Sequence, residues 1–405
     1  MFWILLLACA SKDASYDGPD ASWELPDPLD LTEQVEPPDP FVSFFAGAPI
    51  ESAADWEDVR APELKLLFSH YLYGYAPAVP EASEFSTEVL ELDIFGESAE
   101  TITLWIRLAV HSEAGTFEIA VFKPWQDDNG AVILGLNKCG NHSVSDVAEI
   151  PLPTGYVEGG CEGGAGEAGR GSRADYWDIE GAIAAGFSVA TVHQSDFAPD
   201  DPERVDEGLT AAVATNAAPE EAWGTVARWA WGLSLAARGV EELNASTDID
   251  DFEQVLLFGH SRRGKAALWA AALDPSIDGV WAHQSGTAGA TLSRSYSGES
   301  VLAINSFFPH WFNDVFPAFN ERETYLPFDQ HLLLSLVAPR PLLVTDGADD
   351  TWADPEGAEQ SVTLAAPVYD LLGGAGDLEW RLRDGDHEVR DEDWASAFDF
   401  FGGAR

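Results

Sequence analysis

The stretch VLLFGHSRRGKAALWAAALD, residues 255–274, decides how this chain is read. Residues 255–260 form an apolar run suited to a buried strand, and KAALWAAAL, residues 265–273, is rich in helix formers. Between them stands Gly259-His260-Ser261-Arg262-Arg263-Gly264. Small residues at 259 and 264 let the backbone turn hard from strand to helix, which would leave the Ser261 hydroxyl exposed above a sheet. The spacing G-x-S-x-x-G is one residue longer than the G-x-S-x-G turn that carries many serine nucleophiles. Ser261 standing at the N-cap of the following helix is compatible with a reactive role and with a purely structural one.

Outward from this turn the chain repeats one pattern. Short apolar runs recur at AVILGLN (131–137), FSVATVH (187–193), GVWAHQS (279–285), PLLVTDG (341–347) and LEWRLRDG (378–385). Helix-like segments lie between several of them, the longest being EEAWGTVARWAWGLSLAARGVEEL, residues 220–243. TITLWIRLAV (101–110) and TFEIAVFKP (116–124) alternate as the arms of a β-hairpin. Buried strands alternating with amphipathic helices predict one α/β domain over residues 46–405. Its expected form is a mostly parallel central sheet in a three-layer α/β/α sandwich.

In such a sheet ligands bind beyond the carboxyl ends of the strands. Two loops there join that of Ser261: DGADDTWADP, residues 346–355, and DGDHEV, residues 384–389. A serine hydroxyl needs a base to take its proton, and the base needs a carboxylate to set its tautomer. Ser261, an aspartate among residues 346–354, and then His387 follow the chain order of an α/β-hydrolase fold. A solvated acidic loop with a surface histidine is the plainer reading of the same residues.

The charge balance narrows the partners. Seventy acidic residues against 21 basic give a formal net charge of −49. That charge disfavours nucleic acid and anionic membranes and suits solubility in salty surroundings. Only five residues are lysine, which draws attention to the place of each. The N-terminal MFWILLLACASKDAS carries Leu6-Leu7-Ala8-Cys9, the cleavage form of a bacterial lipoprotein signal. Residues 1–9 are therefore expected to direct export, with a lipid anchor at Cys9, although the run is short and no basic residue precedes it. A plain buried strand is the alternative. Residues 10–45, rich in Asp, Glu and Pro, are expected to form an acidic tether or an arm along the body. Cys139 and Cys161 would remain as a pair, either bridged or as two buried thiols.

GHSRRGKAALWAAALD resembles the Ser-Arg-x-Gly-Lys signature of glucuronoyl esterases, carbohydrate esterase family 15, in its bacterial branch. The resemblance runs on through ILGLNKCGNHSV, RGSRADYWDIEGAIAAGFSVAT, EEAWGTVARWAWGLS, QSGTAGATLSRSYSGESV, LPFDQHLLLSLVAPRPLLV and DDTWADP. It implies Ser261 as nucleophile, His387 as general base and Asp350 as the acid. Some members place a glutamate after the preceding strand instead, where this chain has Gln284, which cannot carry the charge. The resemblance also implies Arg262 at the oxyanion, and Lys265, Glu299 and Trp352 at the sugar. Without it, Lys265 and Glu299 read as surface charges and Trp352 as core. The implied reaction is acyl transfer from a uronic acid ester, as between lignin and a glucuronoxylan branch, by a monomer with no metal and no cofactor. His142, His193 and His310 are scattered and read as structural or pocket-lining. An acetylxylan esterase would share the same triad, and a polysaccharide-binding lipoprotein that had lost turnover would share the fold.

Overall fold

The computed structural model describes residues 23–80, 86–93, 103–112, 115–124, 127–213, 215, 217–246 and 252–403, with backbone alone for 86–93, 103–112 and 244–246. The Leu6–Cys9 segment lies outside them.

Among the described residues nine strands form one sheet: β1 (Ser86–Asp93), β2 (Thr103–Ser112), β3 (Gly115–Pro124), β4 (Ala131–Asn137), β5 (Ser188–His193), β6 (Gln254–His260), β7 (Gly279–His283), β8 (Leu342–Gly347) and β9 (Leu378–Arg383). Their order is β1-β2-β3-β5-β4-β6-β7-β8-β9. The first four in that order pair antiparallel, and β5 through β9 pair parallel. The apolar runs of the sequence correspond to β4–β9, and the hairpin to β2 and β3. β1 was not expected: its sequence STEVLELD carries acidic residues that are poor strand formers, and it reads as strand only beside β2.

Alternate residues of each central strand enter different cores, as a period of two requires. Val132, Leu134 and Leu136 of β4 pack on the face covered by the helices Thr225–Ser246 and Arg262–Leu273. Ile133, with Leu256 and Phe258 of β6, packs on the other face against the helices Ile179–Ala184 and Asp391–Gly402. Both faces of β4 and β5 are therefore buried, which is why those strands read as unbroken apolar runs. Under the carboxyl end of β6, Phe258 stacks 4.2 Å from Trp281, and Trp394 closes the cluster 5.0 Å from each. This packed base fixes the level at which the Ser261 turn leaves the sheet.

Residues 23–45 lie along the body. Tyr71 Oη donates to Pro26 O at 2.7 Å, His331 Nε2 meets Pro38 O at 2.8 Å, and Arg60 Nε donates to Pro40 O at 3.1 Å. Phe41, Phe44 and Phe45 pack against the larger core. Cys139 and Cys161 form a disulfide, which closes 22 residues of the loop after β4. By chain entropy such a loop contributes about 3 kcal/mol.

Candidate active site

The turn at Ser261 is held by backbone contact. Ser261 has φ 60° and ψ −129°, a conformation that costs a non-glycine residue about 1–3 kcal/mol. A Cβ on Gly259 would stand 2.2 Å from Arg263 O, and one on Gly264 would stand 2.8 Å from Gly259 O. Strand and helix thus touch at both glycines, and the longer spacing still produces a sharp turn. Ser261 sits at the N-cap, yet its side chain makes no capping hydrogen bond. Its N–H donates to His283 O at 2.9 Å, which ties the turn to β7. The first N–H groups of the helix, Arg262 among them, lack intrahelical acceptors and favour negative charge beside Ser261.

Asp350 and His387 meet across two loops. Asp350 follows β8, is 2% exposed, and accepts from Ala353 N at 3.1 Å through Oδ1. Its Oδ2 lies 2.6 Å from His387 Nδ1. That contact assigns the Nδ1 proton to the side facing the carboxylate and leaves Nε2 able to accept. His387 and Ser261 line the same cavity, of about 260 Å³, and are not hydrogen-bonded to each other. A Ser–His bond of this kind often tightens only around substrate. Of the neighbouring aspartates, Asp346 is buried, burial pushes its carboxyl well above the usual range, and it accepts from Trp380 Nε1 at 2.9 Å. Gln284 donates through Nε2 to Asp386 O at 2.9 Å, and so bears on the loop of His387 as a donor.

Arg262 is clamped. Its guanidinium donates to Asp200 at 2.5 Å and lies 4.5 Å over the Trp311 ring. Asp200 also faces His310 Nε2 at 2.8 Å and accepts from Trp311 Nε1 at 2.7 Å. Burial opposes its charge, but the bond from His310, the Arg262 charge and the bond from Trp311 together hold its carboxyl well below the usual range. The ion pair is thereby fixed beside the nucleophile.

Lys265 and Glu299 form a second, nearly buried cluster. Lys265 Nζ donates to Ser285 O at 2.7 Å and Thr287 O at 2.5 Å, and stands 3.9 Å from Glu299 Oε2. Burial lowers the ammonium to about 8 despite Glu299, and burial raises the Glu299 carboxyl despite Lys265. Desolvation outweighs the pairing on both partners, so polar groups of a ligand would be well received here. Trp352, by contrast, is 51% exposed, with Phe307 beside it at 6.3 Å. An indole this exposed is not core, and its ring is open to a ligand.

No motif or spacing in the sequence marks Asp200, the bond from His310, or Glu158, which accepts from Gln194 Nε2 at 3.0 Å in the wall of the cavity. His142 Nε2 faces Gly164 O at 3.1 Å, and His193 Nδ1 lies 3.5 Å from Asp196; neither lines the cavity. Among the described residues no group of His, Cys, Asp and Glu side chains could hold a metal ion.

Comparison with known proteins agrees with this frame. A family model described as glucuronyl esterase of fungi matches residues 180–373. A carbohydrate esterase from an unknown prokaryotic organism is 36% identical over 392 residues, covering 90% of this chain and 88% of that protein. A 4-O-methyl-glucuronoyl methylesterase of Phanerochaete chrysosporium is 29% identical over 353 residues, covering 84% of this chain and 62% of its own length. Among solved structures, a promiscuous esterase of carbohydrate esterase family 15 from a marine bacterial metagenome superposes with TM-score 0.76 at 34% identity, over 92% of this chain and 98% of that one. The glucuronoyl esterase of Solibacter usitatus gives TM-score 0.80 at 30% identity with the same coverage.

Proposed function

Because the chain belongs to carbohydrate esterase family 15, we propose that it is a serine carboxylester hydrolase cleaving esters of glucuronic or 4-O-methylglucuronic acid. Its substrates would be uronic-acid-bearing polysaccharides and lignin–carbohydrate esters. The observation that carries the reading is that a strained, uncapped Ser261 lines one cavity with His387, whose Nδ1 meets buried Asp350 at 2.6 Å.

In this reading Ser261 Oγ attacks the C6 carbonyl of the uronate while His387 Nε2 takes its proton. Asp350 holds the imidazole in the accepting tautomer and stabilises the imidazolium that forms. Negative charge developing on the carbonyl oxygen faces the Arg262 N–H and the guanidinium fixed by Asp200. His387 returns the proton to the departing alcohol, and water then repeats the sequence in reverse on the acyl-enzyme. Lys265, Glu299 and Trp352 would hold the sugar. Residues 46–405 act as the catalytic domain of a monomer. Export to the periplasm, outer membrane or medium, with residues 1–9 as signal and Cys9 as lipid anchor, is supported by the Cys139–Cys161 bridge, which belongs to an oxidising compartment.

The test is release of glucuronic acid from benzyl glucuronate, beside release of acetate from acetylated xylan, for wild type and Ser261→Ala. Uronate release lost in the variant, with little acetate from either protein, is the expected result. Acetate alone would make the protein a different carbohydrate esterase, and no Ser261-dependent release of either would leave a binding protein.

A further inference from the structure

The cavity at Ser261 is walled by cations that the fold leaves without adequate partners. Among the described residues, Lys138 Nζ forms no hydrogen bond or ion pair, and the Arg173 guanidinium makes only a ring contact, 4.5 Å over Tyr176. Arg263 is 7% exposed, its Nε has no hydrogen-bond partner, and its one carboxylate is Glu158 at 3.5 Å. Glu158 is itself shared with Gln194 at 3.0 Å and Arg262 at 4.0 Å. Every other arginine whose side chain is described has a hydrogen-bonded carboxylate or carbonyl.

At the cavity Lys138 and Arg173, neither with a carboxylate, stand together with Arg263 and its shared Glu158, each cation raising the cost of the others. Burial lowers the Lys138 ammonium, and although Glu158 works against this, the charges of Arg263, Arg173 and Arg262 lower it further. Such a cluster is relieved by an anion that can meet several donors at once.

The sheet order says which half of an ester would bring that anion. β4 neighbours β6 on one side, and β7 and β8 follow on the other. Lys138, Glu158 and Arg173 come from the segment after β4, whereas Glu299 follows β7 and Trp352 follows β8. With the uronate on the Lys265, Glu299 and Trp352 side, as the proposed function has it, the alcohol leaves toward the cations. We infer that the cavity is a subsite for a carboxylate carried by the alcohol half of the ester, held by Lys138, Arg173 and Arg263. Tyr176 gives it an aromatic wall, so an aryl carboxylate suits it best.

The test compares benzyl glucuronate with 4-carboxybenzyl glucuronate, which differ by one carboxylate on the alcohol. The quantity read is the ratio of their kcat/KM values in wild type, Lys138→Met and Arg173→Gln. A ratio of about ten in favour of the carboxylated ester, at low salt, is expected for wild type, the size of one charge-assisted hydrogen bond. It should fall toward one in each variant and recover in Arg173→Lys. Lys138 and Arg173 are only partly buried, so both variants should fold, and circular dichroism checks this. A wild-type ratio of one or below overturns the inference. An equal loss on both esters in the variants also overturns it, because the cations would then serve the oxyanion. Hydrolysis of neither ester by wild type would instead overturn the proposed function, and the subsite with it.

Discussion

Asp350→Asn isolates the contact on which the proposed proton transfer rests. Ala353 N–H faces Oδ1 of Asp350, and His387 Nδ1 faces Oδ2. An amide in that place must turn its oxygen toward Ala353 N–H, which puts its NH2 group against His387 Nδ1. That arrangement favours the tautomer with the proton on Nε2, unable to accept from Ser261. The imidazolium also loses its counter-charge. For charges about 4 Å apart and an effective dielectric constant near 20, that is about 4 kcal/mol, or roughly a thousandfold in rate. His387 is 38% exposed on its side chain, so solvent takes part of the Coulomb loss while the tautomer effect remains. The expected outcome is a fall in kcat on benzyl glucuronate of about 10³, with little change in the melting temperature. Asp346→Asn is the control: burial already opposes a charge on that carboxyl, which accepts from Trp380 and not from His387, and its amide counterpart should retain activity within about tenfold. A loss of less than about tenfold in Asp350→Asn, or a larger loss in Asp346→Asn, would refute the assignment of the acid.

Asp200→Asn removes the charge that clamps Arg262. The lost buried pairing should cost about 3 kcal/mol of stability in denaturant titration and lower kcat more than KM; an unchanged kcat would mean the guanidinium has no part in the reaction. Lys265 loses its proton in the folded protein near pH 8, while the unfolded chain keeps it up to about 10.5. Its contribution to stability therefore rises between those values, and kcat/KM on a glucuronate ester should decline above about pH 8, a limb absent in Lys265→Met. Persistence of that limb in the variant would remove Lys265 from sugar binding. Reducing the Cys139–Cys161 bridge should lower stability by about 3 kcal/mol in denaturant titration and also reduce activity, because Cys139 lines the cavity. Full activity after confirmed reduction would contradict a structural role for the bridge.

What could be read from the sequence follows from how each feature is built. β4 and β5 are buried on both faces, so their apolar runs are unambiguous. Ser261, Asp350 and His387 each lie just past a strand, and their chain order matches the order of those loops at the sheet edge. The clamp on Arg262 left no such trace. Asp200 meets residues 62 and 110 positions away, from segments with no shared period, and only the fold brings FAPDD and FFPHW together. The segment 23–45 was ambiguous for a different reason. Tyr71, His331 and Arg60 hold it by backbone carbonyls, which every residue type offers, and the side chains that do pack, Phe41, Phe44 and Phe45, follow no helix or strand period. The unpaired cations at the cavity were equally silent, because a missing partner is a property of the folded surroundings.

The proposed reaction stands or falls with Ser261 as its nucleophile. The most direct measurement is peptide mapping by mass spectrometry after treatment with diisopropyl fluorophosphate, with uronate release followed in the same samples. The expected result is one phosphoryl adduct on Ser261, loss of activity in proportion to labelling, and no adduct in Ser261→Ala. Inactivation with the adduct elsewhere, or full activity with Ser261 labelled, would contradict it.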